Sequence, residues 1–469
     1  MSKRKLISHY DKIAPQRDEW IKKNSYYYDH LMEYYEFLIP KGLRVLEIGC
    51  GTGYILNSVK PSYGVGIDFS SEMINIAKNN HPDYTFMVMD AEELALDEKF
   101  DYIIISDLIG ELHDIQEFFK KLKAVCTYET KIVINYYSQL WRPVLKFGEK
   151  FGLKMPQKLQ NWLPLEDIQN LLYLADFETI KTSRRMIFPR KIPYVSYFMN
   201  NFLAKMPIFK HLSLTHFVVA KPIGVPENTD EMTCTVCIPC RNEKGNIEAA
   251  IQRTPKMGKH TEIIFVDGNS TDGTVDEIKR VIEKYPEIDI KWMMQDGTGK
   301  GDAVRKGYAH AKGDVLMILD ADLTVPPEDL PKFWNALIEG KGEFINGTRL
   351  VYPMDEKAMR FLNLLGNKFF SMAFTWLLEQ RFRDTLCGTK VLTKENYEKI
   401  AKNRNYFGDF DPFGDFDLLF GAAKQNLKIV EVPIRYKERT YGTTNISRFR
   451  HGWMLLKMCV FAFRKLKLV

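Results

Sequence analysis

Acidic residues stand at the ends of apolar runs throughout this 469-residue chain. The run at 315–319 leads into Asp320-Ala321-Asp322. On an extended chain residues i and i+2 point to one side, so these two carboxylates can converge on a single hard cation, which prefers oxygen ligands. Two other runs, at 236–238 and 263–266, lead into Pro239-Cys240-Arg241-Asn242-Glu243 and into Asp267-Gly268-Asn269-Ser270-Thr271-Asp272-Gly273-Thr274. A cation held among such groups stabilises the negative charge that grows on a departing diphosphate. A second constellation lies earlier, where Leu46-Glu47-Ile48 runs into Gly49-Cys50-Gly51-Thr52-Gly53, the next apolar run ends at Asp68 and the one after it at Asp90. Glycines let the backbone turn tightly and approach a ligand closely. Asp68 is placed to accept from ribose hydroxyls and Asp90 from an adenine amino group. The dinucleotide fingerprint G-x-G-x-x-G is not met, because Tyr54 stands where the third glycine belongs.

Parallel strands position such groups. Short apolar runs at 44–48, 64–67, 86–89, 102–105 and 131–134 alternate with helical stretches, and the pattern restarts at 235–238, 262–266, 288–293, 315–319 and 343–346. This predicts an α/β chain with two mostly parallel sheets, each covered on both faces. An aromatic helical stretch covers 10–38, and the insert at 177–221 is expected to close the first domain over its substrate side. Pro222, Gly224 and Pro226, followed by a polar run, mark a linker. The expected division is 1–222, a linker at 223–232, and 233–469.

With 45% hydrophobic and 27% charged residues the chain is globular, which excludes a disordered or fibrous class. Its net charge of +6 is local: residues 435–469 hold nine Lys/Arg against Glu438 alone. No run of eighteen apolar residues occurs and the basic start lacks an apolar core, so neither a membrane span nor a secretory signal is expected. Seven cysteines suggest reduced thiols, and Cys234, Cys237 and Cys240 read as parts of a buried strand rather than a metal site.

Residues 46–53 with Asp68 and Asp90 resemble a class I S-adenosylmethionine-dependent methyltransferase over about 8–220. The resemblance implies that Glu47, Gly49, Gly51 and Gly53 hold the methionine part of S-adenosylmethionine, Asp68 the ribose, and Asp90 with the Ala91 amide the adenine. Residues 239–243, 267–274 and 320–322 resemble family 2 glycosyltransferases of the GT-A fold from about 234 onward. Residues 322–328, 384–388 and 431–434 are most similar to the branch that glycosylates polyprenyl phosphates, typified by dolichol-phosphate mannose synthase. That implies a GDP- or UDP-sugar near Pro239, Asn242, Glu243, Asp267, Asp296, Lys300 and Asp320. It also implies Mg2+ or Mn2+ on Asp320 and Asp322, and Arg349, Arg360 and Arg439 on acceptor or donor phosphate. The fold class is therefore two Rossmann-like domains, a methyltransferase sheet then a GT-A sheet with amphipathic C-terminal helices.

Two departures stand out: Thr324 replaces a glutamine usual in that branch, and Asn445 a lysine. A lipid-phosphate acceptor needs no strong base; a hydroxyl acceptor needs a carboxylate, first Asp384, then Asp417. His113 is the candidate base for O-methylation, and Tyr10, Tyr26, Tyr27 and Tyr28 are candidate lid residues. Ser106-Asp107-Leu108-Ile109 lacks the prolines of enzymes that methylate nucleobase amino groups, so no nucleic-acid partner is expected. The apolar stretches within 360–380 and 446–469 suit peripheral contact at the cytoplasmic face of the inner membrane. The reading is one bifunctional, inverting enzyme acting on a lipid-linked or glycan acceptor. The alternatives are a hydroxyl-directed glycosyltransferase with an independent O-methyltransferase, or a nucleic-acid methyltransferase.

Overall fold

The computed structural model describes residues 3–157, 161–352, 361–406, 416–437, 439, 441 and 448–468. The chain divides into two compact units, Met1–Ile223 with Lys467–Val469, and Gly224–Leu466. Each holds one seven-stranded mixed sheet.

In the first unit the strands are β1 (Arg44–Ile48), β2 (Tyr63–Asp68), β3 (Thr85–Val88), β4 (Phe100–Ser106), β5 (Cys126–Tyr137), β6 (Phe177–Arg185) and β7 (Thr215–Pro222). Their order is β3-β2-β1-β4-β5-β7-β6. β1 to β5 are parallel, and β7 pairs antiparallel with both β5 and β6. Leu46, Ile48, Ile103, Ile105, Ile132 and Ile134 are fully buried in the core beside Phe118, Phe119 and Phe177. Such continuous apolar strands are what a sheet covered on both faces requires. β1 lies between β2 and β4, so the strand order reverses there and a crevice opens at the carboxyl ends. The single helix expected over 10–38 is three: Lys3–Ile13, Arg17–Lys23 and Ser25–Leu38, with Pro15 in the 3-10 turn Ala14–Gln16. Proline fixes φ and lacks an N–H, which explains the first break.

The second unit repeats the logic with β8 (Cys234–Cys240), β9 (Thr261–Asp267), β10 (Asp289–Met294), β11 (Val315–Ile318), β12 (Phe344–Thr348), β13 (Lys390–Thr393) and β14 (Ile429–Pro433). Their order is β10-β9-β8-β11-β13-β12-β14, with β13 antiparallel to both neighbours. The reversal falls at β8, between β9 and β11. Register then brings the acids together: Cys240 lies opposite Asp267, and Ile318 lies opposite Cys237 just before Asp320. Cys234, Cys237 and Cys240 are buried thiols of β8. Phe265, Phe333 and Met317 fill the core.

Candidate functional sites

At the first sheet edge, Gly49, Gly51 and Gly53 all have positive φ, between 51° and 77°. A side chain on Gly53 would press on Phe86, so this turn is built for glycine. Glu47 is buried, and its Oε2 accepts from Leu56 N at 2.9 Å, tying β1 to the helix behind the loop. Asp68 accepts from Gly51 N and Ser70 N, both at 2.9 Å. Asp90 caps the turn at Ala91 by accepting from Glu92 N at 2.9 Å, and it pairs with Lys3. Ala91 is buried.

The N-terminal helices lie over this loop. Asp11 accepts from Ser70 Oγ at 2.6 Å, Thr52 Oγ1 donates to Asp18 at 2.8 Å, and Tyr10 packs edge-on against Phe69. A methyl on Gly51 would find only Arg17 Nε, at 3.9 Å. Tyr10 donates to Glu111, whereas Tyr26 faces elsewhere and accepts from Asn200. Burial raises the pKa of Glu47, Asp68, Asp107 and Glu111. Glu47 is pushed up to about 8, Glu111 to about 7 and Asp107 to about 6, while Asp68 rises against its backbone donors. Arg17, half-buried, stays cationic among Tyr28, Tyr137 and Asp107. Four acids thus face one arginine, and a cationic guest would stabilise their ionised forms.

Beside it lies a cavity of about 280 Å3, walled by Trp20, Tyr27, Tyr28, Tyr137, Trp141 and Phe147, with Arg17, Lys154 and Asp107 among its polar lining. Asp107 closes β4 with φ +52° and accepts from Asn135 Nδ2 at 2.9 Å. Burial raises it, while Lys154 and a hydrogen bond with Tyr137 oppose the rise. His113 takes no part in this lining. It is exposed at a helix start, and its backbone N–H donates to Glu92. Asp107, the acid at the end of β4, lines this cavity, whose lining lacks His113.

The second sheet edge holds a cavity of about 270 Å3 lined by Pro239, Glu243, Lys300, Asp320, Asp322 and Arg439, among others. Asp320 pairs with Lys300 at 2.7 Å; Asp322 pairs with Arg439 at 2.6 Å and is held on its other oxygen by Thr324 Oγ1 at 2.8 Å and Thr324 N at 3.1 Å. Burial works to raise the pKa of Asp320, but Lys300 outweighs it and holds the carboxyl below its ordinary value. Glu243 is raised by burial, against the pull of Arg439 at 3.2 Å. Asn242, at φ +58°, ties two loops: its N–H donates to Ser270 Oγ and its Oδ1 accepts from Thr271 N, both at 2.8 Å. Asp267 is fully buried and accepts from Ser270 N at 2.9 Å. Gly388 backs the cavity, and any side chain there would collide with Asp320 and Lys300. Gln295, unmarked in the sequence reading, also lines the cavity.

Asn242, Asp267, Asp296, Arg349, Asp384 and Asp417 are not in this lining. Asp296 is exposed and paired with Lys306. Asp417 is buried against Arg404 Nε at 2.7 Å. Asp384 is buried, and every acceptor position is taken: Oδ2 by Arg349 Nε (2.7 Å) and N (3.0 Å), Oδ1 by Arg349 Nη2 (2.8 Å) and Leu386 N (3.0 Å). Burial would raise its pKa, yet Arg349 keeps it lowered. Each of these two acids anchors an arginine, and a carboxylate as saturated as Asp384 offers no open lone pair to an acceptor proton. Arg349 is correspondingly committed to Asp384, while Arg360 and Asn445 lie outside the described residues.

A model of glycosyl transferase family 2 matches residues 235–399, and a model of a methyltransferase domain matches 20–182. The glycosyltransferase AglJ of Haloferax volcanii is 31% identical over 224 residues, 47% of this chain and 69% of its own length. The chain belongs to glycosyl transferase family 2. Its second unit is the glycosyltransferase domain, and its first unit carries a methyltransferase domain. Dolichol-phosphate mannosyltransferases of Pyrococcus furiosus (30% over 237 residues) and Saccharomyces cerevisiae (38% over 120 residues) are also similar. They align with 48% and 24% of this chain, and with 64% and 44% of their own lengths.

Two stability measurements check these assignments. Asp384→Asn leaves Arg349 buried without its counter-charge and lowers the unfolding free energy by about 3–5 kcal/mol in urea titrations; native stability with lost turnover would restore Asp384 as a base. Glu47 titrates higher folded, at about 8, than unfolded, near 4.3. Its contribution is complete below about pH 4 and is lost as pH rises toward 8, at up to about 1.4 kcal/mol per pH unit. Glu47→Gln removes that slope from the stability–pH profile, and an unchanged slope contradicts the assignment.

Proposed function

We propose that the second unit transfers a sugar from a nucleoside diphosphate to a lipid-linked phosphate with inversion, and that the first unit methylates a hydroxyl of the same or a related glycoconjugate at the expense of S-adenosylmethionine. The observation that carries the first half is the cavity in which Asp320 and Asp322 meet Lys300 and Arg439. Asp320 and Asp322, two carboxylates at one edge, would hold a divalent ion, which prefers oxygen ligands. Such an ion supplies neutralisation of the leaving diphosphate.

The chain's own residues do the rest. Lys300 and Arg439, now occupied with the two acids, can turn to phosphate oxygens when those acids are otherwise neutralised. Thr324 fixes the rotamer of Asp322, which gives its departure from the usual glutamine a physical role. Asn242 and Asp267 hold the two loops that flank the nucleotide position. The saturation of Asp384 and the pairing of Asp417 favour an acceptor that is already anionic, because neither acid is available as a base. A polyprenyl phosphate, the kind of lipid named for the dolichol-phosphate relatives, meets that requirement. The helices Phe361–Leu378 and Arg448–Ala462 expose Phe369, Met372 and Trp453, which suits peripheral contact with a membrane. No helix among the described residues is long and apolar enough to cross one.

In the first unit the acidic crevice suits a sulfonium nucleoside. Its glycine turn suits the close approach of the cofactor's amino-acid part, and Asp68 its ribose. The acceptor enters the aromatic cavity, and Asp107 takes the hydroxyl proton as the oxygen gains the methyl group.

Chelation of divalent ions is expected to abolish glycosyl transfer, and Asp322→Ala to lower it about a hundredfold or more. Transfer that persists in chelator contradicts the metal role, and product NMR showing a retained anomer contradicts inversion. For methyl transfer, kcat/KM is expected to fall below about pH 6, where Asp107 becomes protonated, and to be level above it. Asp107→Asn should lose about a hundredfold and abolish that acid limb. An unaltered pH profile in the variant would move the base elsewhere.

A further inference from the structure

The first unit exposes an apolar surface around the mouth of the Asp107 cavity that neither reading above uses. Two segments build it. In the stretch 139–154, Val144 and Phe147 line the cavity yet stay largely exposed, and Phe151 beside them is exposed as well. In the insert 186–212, Tyr194 is 90% exposed and Ile208 80%, with Phe198 also exposed. Trp141 joins the segments: its Nε1 donates to Leu212 O at 2.9 Å, and it lines the cavity with Pro189 and Arg190. Scattered exposed apolar residues are ordinary, but many of them concentrated on two segments that meet at one cavity point to a contact surface.

Charge selects the occupant. Residues 186–212 contain no Asp or Glu, and Arg190 and Lys191 are exposed there. In 139–154 the one acid, Glu149, is neutralised by Lys154 at 2.7 Å, whereas Arg142, Lys146 and Lys150 are exposed. Bulky apolar and aromatic tips on segments whose exposed charges are basic match a bilayer interface with acidic headgroups: the apolar tips enter the acyl boundary and the cations meet phosphate. The local helices, such as Val195–Asn201, are too short to span, so the segment would lie in the interface.

We propose that the methyltransferase unit docks on an anionic lipid surface through this face, with the mouth of its acceptor cavity toward the membrane. The docking itself is independent of which acceptor is methylated. If the acceptor is lipid-linked, as read above, this orientation brings it to Asp107 without leaving the bilayer.

The test uses the full-length chain and sedimentation with vesicles of phosphatidylcholine, alone or mixed with phosphatidylglycerol. Binding is expected to the mixed vesicles, to weaken with salt, and to be much weaker with phosphatidylcholine alone. A triple variant, Tyr194→Ser with Phe198→Ser and Ile208→Ser, should bind the mixed vesicles about tenfold more weakly or worse. It alters exposed side chains only, so its thermal unfolding and its affinity for a nucleoside diphosphate should match those of the parent. A second variant, Phe369→Ser with Trp453→Ser, separates this face from the helices of the glycosyltransferase unit. The proposal is overturned if the parent ignores anionic vesicles, or if the triple variant binds them as the parent does. It is also overturned if light scattering finds a parent dimer that the triple variant dissolves while vesicle binding is unchanged, since the face is then a protein contact.

Discussion

A carboxylate buried at the end of a parallel strand must be met by N–H donors or by a cation, because burial alone drives it toward its neutral form. Both sheets of this chain are organised around that constraint. Their apolar strands carry acids to the carboxyl edge, and the surrounding loops are folded by the need to answer them. Gly51 and Ser70 turn their backbone N–H groups to Asp68, Ser270 does so for Asp267, and Arg349 is drawn to Asp384.

The two edges solve the problem differently, and their ligand preferences differ as a result. In the first, backbone donors and one half-buried arginine face four acids, which leaves the carboxyls raised and the crevice receptive to positive charge. In the second, Lys300 and Arg439 sit on the paired acids at the ends of long flexible stems. In the proposed reading those cations change partner when a metal and an anionic diphosphate enter the pocket. In the proposed reading, a sulfonium nucleoside and a nucleotide-sugar are told apart by this contrast rather than by the fold, which the two units share in outline.

The parallel cores were legible because strands buried on both faces read as unbroken apolar runs, and the acids that close them were legible with them. β6 was only half visible, since Phe177-Glu178-Thr179-Ile180-Lys181-Thr182 mixes polar residues into an edge region. β13 was missed because it is four residues long and begins with Lys390, which is buried despite its charge. The site residues divide the same way. Asp320, Asp322, Glu243 and Asp267 lie at strand ends and announced themselves by spacing. Arg17, Tyr137 and Lys154 reach the Asp107 cavity from distant segments, and no local pattern links them. At Asp384 the sequence shows an acid at a familiar position but not the arginine, thirty-five positions away, that saturates it.

The central claim is that one chain binds two chemically opposite ligands at two sheet edges. Isothermal titration of the full-length chain with S-adenosylhomocysteine, and with UDP or GDP plus manganese, tests it most directly. The account predicts one site per chain for each ligand, the nucleoside diphosphate site lost without manganese and neither ligand displacing the other. Competition for a single site, or no heat with S-adenosylhomocysteine and with either nucleotide, would contradict it.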